Sequence, residues 1–252
     1  MKPRFRLKGK PKRLTVLDYG LFEVHAGPRT IGICGYVIET DAGEVILIDT
    51  GFPEKYAQDA DAATVEDALE TFGRVLRLTS DNLPRAQLAK CGLQPEAVTL
   101  MIQSHTHIDH LGGLSDYRQA PMLIAAAERA LDRPLYWSGK QPLAWPDRSY
   151  VLVESDTVLG SGFEVLLCPG HAPGQLAFVV DLPDTGCVVL TSDAISRPAE
   201  KEEGSEDAWD PDQAAHHAER LMALARDRGA FVIYGHCPAQ WQQLKKAPQS
   251  YT

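Results

Sequence analysis

Four side chains able to bind a metal stand within six positions of the segment SHTHIDHLGG, residues 104–113: His105, His107, Asp109 and His110. An apolar run, AVTLMIQ at 97–103, precedes them, so the group emerges at a strand end. Side chains alternate along extended backbone, which turns His105, His107 and Asp109 to one side. Gly112 and Gly113 follow and permit a tight turn, freeing His110 to approach from another direction. Four such groups could fill one tetrahedral site, but the spacing is too tight. A structural zinc usually draws pairs of ligands from two separated segments. The group reads instead as parts of two sites, which requires further ligands downstream.

Three candidates stand directly after apolar runs: His171 after FEVLLCPG, Asp193 after CVVLTS and His236 after FVIYG. Ligands on strand ends are held rigidly by a sheet, as a metal centre requires. Five histidines and two aspartates without a thiolate suit two divalent ions, zinc first, with manganese, iron or cobalt as alternatives. Two neighbouring cations lower the pKa of a bridging water, deliver hydroxide at neutral pH and polarise a carbonyl or phosphoryl oxygen. Such a site hydrolyses polar bonds without a Ser or Cys nucleophile. His216 and His217 sit side by side on an expected helix and read as surface residues, and His25 is assigned no ligand role.

The elements that must carry these groups are short strands rich in Val, Ile and Leu, at 34–40, 44–49, 97–103, 121–126, 163–168, 175–181, 187–192 and 231–235. Helices are expected at 64–78, 84–91 and 211–228. The last has Asp210 as N-cap, Pro211 in the first turn and Gly229 at its end. Strands followed by alternating helices and strands imply a layered α/β architecture. The segment 132–149, with Tyr136, Trp137 and Trp145 between prolines, reads as a long surface loop suited to a pocket wall.

A chain of 252 residues with 44% hydrophobic content supports one large domain. The formal charge of -9 is uneven. The first thirteen residues hold seven of the 25 basic side chains and no acid, so residues 1–13 read as a basic arm and 14–252 as a single domain. The remaining body sets 18 basic against 34 acidic side chains, which disfavours a phosphate backbone as partner and leaves a small molecule as the expected substrate. No apolar run approaches the roughly 18 residues of a membrane span. Five scattered cysteines without a CxxC fit reduced thiols in the cytoplasm. A homodimer is compatible with the sequence.

HTHIDH resembles the HxHxDH signature of the metallo-β-lactamase superfamily. PGHAPG, SDA and YGH resemble its later ligand motifs, in order, and LIDTG at 47–51 its early strand-end motif. The resemblance runs over about residues 34 to 236. It implies an αββα sandwich, two mixed sheets flanked by helices. It also implies that His105, His107 and His171 hold one metal, that Asp109, His110 and His236 hold the other, and that Asp193 bridges them. Asp49 would stand behind a ligand histidine, and Asp109, beside the attacking water, would pass a proton to the leaving group. Within the superfamily, GYVIETDAGEVILIDTG, HTHIDHLGG and WDPDQAAHHAERL resemble the N-acyl homoserine lactonases, quorum-quenching enzymes that open a lactone. One departure matters. That branch carries a tyrosine three residues after the bridging aspartate, where this chain has Ser196. Gln175 and Cys237 depart outside the ligand set. A thioesterase of the glyoxalase II type and a phosphodiesterase or phosphotriesterase share the ligand set and are the alternatives. The common dizinc β-lactamases carry a cysteine where Asp193 stands.

Overall fold

The computed structural model describes residues 5–204 and 208–252. In chain order it contains strands β1 (Pro11–Val24), β2 (Arg29–Thr40) and β3 (Val45–Ile48), helices α1 (Lys55–Gln58) and α2 (Ala60–Asp67), strand β4 (Gly73–Arg77) and helix α3 (Pro84–Lys90). Strands β5 (Leu100–Ile102) and β6 (Met122–Ala125), helix α4 (Ala126–Arg129), and strands β7 (Tyr150–Val153), β8 (Thr157–Gly160), β9 (Phe163–Leu167), β10 (Leu176–Leu182) and β11 (Gly186–Leu190) follow. Helices α5 (Glu200–Glu203) and α6 (Pro211–Asp227), strand β12 (Phe231–Ile233) and helix α7 (Pro238–Trp241) complete it.

The strands form a seven-stranded sheet, β4-β1-β2-β3-β5-β6-β7, and a five-stranded sheet, β12-β11-β10-β9-β8. Both are mixed: β3, β5, β6 and β7 pair in parallel, as do β11 and β12, while the other neighbours are antiparallel. Strand alternation sorts the side chains into layers. Ile46, Ile48 and Ile102 from one sheet meet Phe163, Phe178 and Leu190 from the other in a shared core. Val45, Leu47 and Met101 point the other way, into a core that includes Leu83 and Leu88 around α3. Val179 and Val189 pack on Leu221 and Ala225 of α6. Helix, sheet, sheet and helix therefore stack in the expected αββα order.

The structure departs from the expected elements at several points; strands β7 and β8, for example, lie outside the expected set. The helix expected over 64–78 ends at Asp67. Ala68 takes a left-handed conformation, and Gly73–Arg77 pair antiparallel with β1 as β4. Thr71, Phe72 and Gly73 are weak helix formers, and an edge of β1 offers more hydrogen bonds than a frayed helix end would. Strand β1 itself, missing from the expected set, begins at Pro11, inside the segment read as a basic arm. Leu7 is buried, its N–H donates to Leu159 (2.7 Å), and the Lys8 and Gly9 N–H groups donate to the Glu44 carboxylate. Regular structure thus starts before Arg13, although the basic side chains of Lys8, Lys10 and Lys12 stay exposed; the first four residues lie outside the described ones. The 132–149 segment carries no named helix or strand, as expected of a loop, and it is anchored: Tyr136 N–H donates to the Thr106 carbonyl and its carbonyl accepts from Ile108. Helix α6 starts as expected, with the Asp210 side chain accepting from Gln213 N–H. No helix among the described residues is long and apolar enough to cross a membrane. All five cysteines are free thiols; Cys34 and Cys168 are buried, while Cys91, Cys187 and Cys237 are partly exposed.

Candidate metal centre

Strands β3 and β5 run in one direction, and β9, β11 and β12 share a direction in the second sheet. Ile48, Ile102, Leu167, Leu190 and Ile233 are their last residues, and Asp49, the 104–110 segment, His171, Asp193 and His236 follow them. The two sheets are joined at this edge, where Leu176 N–H donates to the Ser104 carbonyl (2.9 Å). The 104–113 segment turns back because Gly112 lies against the Phe52 carbonyl. A Cβ there would stand 2.1 Å from that oxygen, so only glycine fits.

The side chains converge in two groups about one carboxylate. His105 Nε2 lies 3.1 Å from His107 Nδ1, which lies 2.9 Å from His171 Nε2. Asp109 Oδ2 lies 3.6 Å from His110 Nε2 and 3.4 Å from His236 Nε2. Asp193 stands between: Oδ2 is 3.4 Å from His171 Nε2 and 3.9 Å from His105 Nε2, Oδ1 is 3.5 Å from His110 Nε2, and His236 Nε2 is 3.2 Å from each oxygen. All seven candidates named from the sequence are thus in one place.

These atoms suit cations better than they suit each other. His110 Nε2 and Asp193 Oδ1 are buried and have no hydrogen-bond partner. Leaving such an atom unpaired costs about 1–3 kcal/mol, which a coordinated ion would remove. Burial, joined by neighbouring imidazoles, holds His105, His107 and His171 below the ordinary histidine range, so their nitrogens present lone pairs. Burial opposes charge on His110 and His236 too, but the surrounding carboxylates win. Asp109, Asp193 and Asp49 push His110 well up, and Asp193 and Asp109 push His236 up to about 9. Asp193 is in turn held well below the carboxylate range by His236 and His110, against its burial. The acidic half demands positive charge, which protons supply when no metal does.

A second layer of hydrogen bonds aims the ligands. Asp49 Oδ2 accepts from His110 Nδ1 (2.9 Å) and Ser104 Oγ (2.6 Å), and Oδ1 accepts from Ser104 N–H (2.8 Å). A carboxylate can only accept, so His110 carries its proton on Nδ1 and turns Nε2 toward Asp193. Asp49 is in the left-handed region (φ 58°), which Asp tolerates better than most residues. His236 Nδ1 lies 3.0 Å from the Gly32 carbonyl, and Ser104 Oγ lies 3.1 Å from His105 Nδ1.

A cavity opens over the ligands. Val24, Ile31, Phe72 and Trp137 form its apolar wall, and Arg29, Ser196, Arg197 and Glu200 its polar one. The 132–149 segment thus contributes Trp137, its ring centroid 4.7 Å from that of Phe72 and tilted 48° to it, whereas Tyr136 is buried with its hydroxyl on Asp67, and Trp145 Nε1 donates to the Leu131 carbonyl. No tyrosine is among the described residues lining the cavity, and the Ser196 N–H donates to Glu200. His25 and His216 are exposed, and His217 is partly buried; none joins the cluster. Sequence reasoning missed Phe72, Arg29 and the buried Glu128, which bonds to two ligand loops. A lone Phe, Arg or Glu carries no spacing signal that could have revealed them.

The geometry and the fold define a metal-binding enzyme of the αββα type, and comparison with known proteins agrees. The family model of the metallo-beta-lactamase superfamily matches residues 35–236. The chain belongs to that superfamily and is a metal-dependent hydrolase. It is similar to an N-acyl homoserine lactonase of Bacillus cereus, 29% identical over 221 residues that cover 85% of this chain and 84% of that protein. A second N-acyl homoserine lactonase, from Bacillus thuringiensis, is 27% identical over 218 residues with the same coverage. Among solved structures, a variant of B. thuringiensis AiiA with N-decanoyl-L-homoserine bound at its active site superposes with a TM-score of 0.84. It is 23% identical and covers 96% of this chain and 100% of that chain, a likeness of fold.

Proposed function

We propose that this protein is a dinuclear hydrolase that opens a lactone or related ester, with N-acyl homoserine lactones as the first substrate class to test. The observation that carries the reading is the Asp193 carboxylate, which stands between the two groups: Oδ2 faces His171 and His105, Oδ1 faces His110, and His236 Nε2 is 3.2 Å from both oxygens. Two divalent ions, zinc by the chemistry of the donors, would be held by His105, His107 and His171 on one side and Asp109, His110 and His236 on the other. Ions there supply the charge that polarises a carbonyl and makes water nucleophilic at neutral pH.

The remaining work falls to the chain. Asp109 lines the cavity and is partly exposed, so its carboxylate can receive the proton of the attacking water and return it to the alcohol oxygen that leaves the ring. Asp49 keeps His110 in one tautomer, and Gly32 does the same for His236. Val24, Ile31, Phe72 and Trp137 provide the apolar surface that an acyl chain needs. The names of the lactonase relatives point to the same substrate class. Ser196 limits the likeness, because its hydroxyl is several Å shorter in reach than a tyrosine's.

The test is a hydrolysis panel on metal-analysed protein covering N-acyl homoserine lactones, simple lactones, thioesters, β-lactams and phosphotriesters. Turnover of lactones well above the other classes supports the proposal. Turnover confined to a thioester or a phosphotriester would reassign the substrate while leaving the metal centre in place.

A further inference from the structure

The three histidines of the first group come from two loops, 104–110 and 168–175, and Glu128 of helix α4 joins them. Glu128 has no exposed surface. Its Oε1 accepts from Thr106 N–H (2.8 Å) and Thr106 Oγ1 (2.5 Å), and its Oε2 accepts from Gly174 N–H (3.0 Å). Thr106 lies between His105 and His107, and Gly174 stands three residues after His171. The approach is close enough that a Cβ on residue 174 would stand 2.4 Å from the Glu128 Cβ, so glycine is required there. Thr106 is also bonded from its far side, by Leu135 N–H to Oγ1 (3.0 Å) and by Tyr136 N–H to its carbonyl (2.8 Å).

From this bridging we infer that Glu128 is a positioning residue that sets the spacing of His105, His107 and His171, and so the affinity of that metal site and not of the other. The inference rests on the dinuclear reading above. The 104–110 loop also carries Asp109 and His110, but the residue that donates to Glu128 is Thr106, between His105 and His107, and no bond joins Glu128 to Asp109, His110 or His236 among the described residues. A glutamine cannot replace the carboxylate, since all three partners offer hydrogens: either Gly174 N–H or Thr106 N–H would face an amide NH2. An aspartate is one methylene too short to span both loops.

The experiment titrates the full-length apoprotein with Co2+ against a competing chelator. Proton NMR of the paramagnetic form then reads the imidazole N–H signals of each site. Wild type should take up two equivalents. Glu128→Gln should weaken one of them by about ten- to a hundredfold, the range for losing a group that orients ligands. The signals of His105, His107 and His171 should be lost first, while those of His110 and His236 persist. Should Glu128→Gln not fold, Thr106→Val carries the test with a smaller loss at the same site, restored by Thr106→Ser. Equal weakening of both equivalents, or no weakening in a folded variant, overturns the inference. A wild type that takes up no Co2+ overturns the metal reading itself, and this inference with it.

Discussion

Replacing Asp49 by asparagine tests the second layer of the site at one atom. Every group around this carboxylate donates: Ser104 N–H at 2.8 Å and Gln103 Nε2 at 3.3 Å to Oδ1, and His110 Nδ1 at 2.9 Å and Ser104 Oγ at 2.6 Å to Oδ2. An asparagine has one accepting oxygen and must point its NH2 at one of these pairs. If the amide nitrogen faces Ser104 N–H, a buried backbone donor is orphaned. If it faces His110, the ring must move its proton to Nε2, the atom meant for the metal. Either loss is worth about 1–3 kcal/mol, which corresponds to roughly five- to 150-fold in an equilibrium constant. The second arrangement is excluded once a metal binds Nε2, so the cost appears on metal binding and falls on the site of Asp109, His110 and His236. Chelator competition on the folded Asp49→Asn protein should show one equivalent weakened about ten- to a hundredfold and the other changed by less than about threefold. Unchanged affinity for both equivalents would refute the reasoning, since His110 would then not depend on Asp49.

Further outcomes follow from the same geometry. Asp193→Ala should cut turnover by at least about a hundredfold, because one carboxylate serves both groups, whereas exposed His216→Ala should leave it unchanged; steady-state rates on metal-analysed protein compare them. Metal binding to the apoprotein at pH 7 should release protons, because His236, raised to about 9 by Asp193 and Asp109, is protonated there and must lose a proton to coordinate; the same carboxylates also push His110 upward. Apparent affinity therefore falls as the pH drops from 8 to 6, and calorimetry in buffers of different ionisation enthalpy reads the protons directly. An affinity independent of pH would contradict this account. Ser196→Tyr, which restores a donor next to the cavity, should preserve lactone turnover or raise it by up to about tenfold with metal content unchanged. A loss of native turnover with metal intact would mean that the space beside Ser196 is used by a different substrate.

Much of the site was legible because metal ligation is written in residue types at fixed spacings. His105, His107, Asp109 and His110 announce themselves within one hexapeptide, and His171, Asp193 and His236 each follow an apolar run that became β9, β11 or β12. The layers were legible for a similar reason, since Ile46 and Ile48 alternate with Val45 and Leu47 between two cores. What failed was decided by tertiary partners. β4 forms because β1 offers it an edge, and β1 was hidden because its charged residues interrupt the apolar alternation. Glu128 gave no signal, since its role depends on Thr106 and Gly174, which are distant in sequence. Trp137 reached the cavity wall as expected of its segment, while Tyr136 turned inward to Asp67, a choice set by packing that local sequence does not encode.

The central claim, two metals acting together on a lactone, is tested most directly by titrating the apoprotein with Zn2+ while following N-acyl homoserine lactone hydrolysis by proton release. The account predicts that turnover rises to a break at two equivalents per chain, since six donors in two groups surround Asp193. A break at one equivalent would contradict the dinuclear centre, and no lactone turnover at any zinc ratio would contradict the proposed reaction.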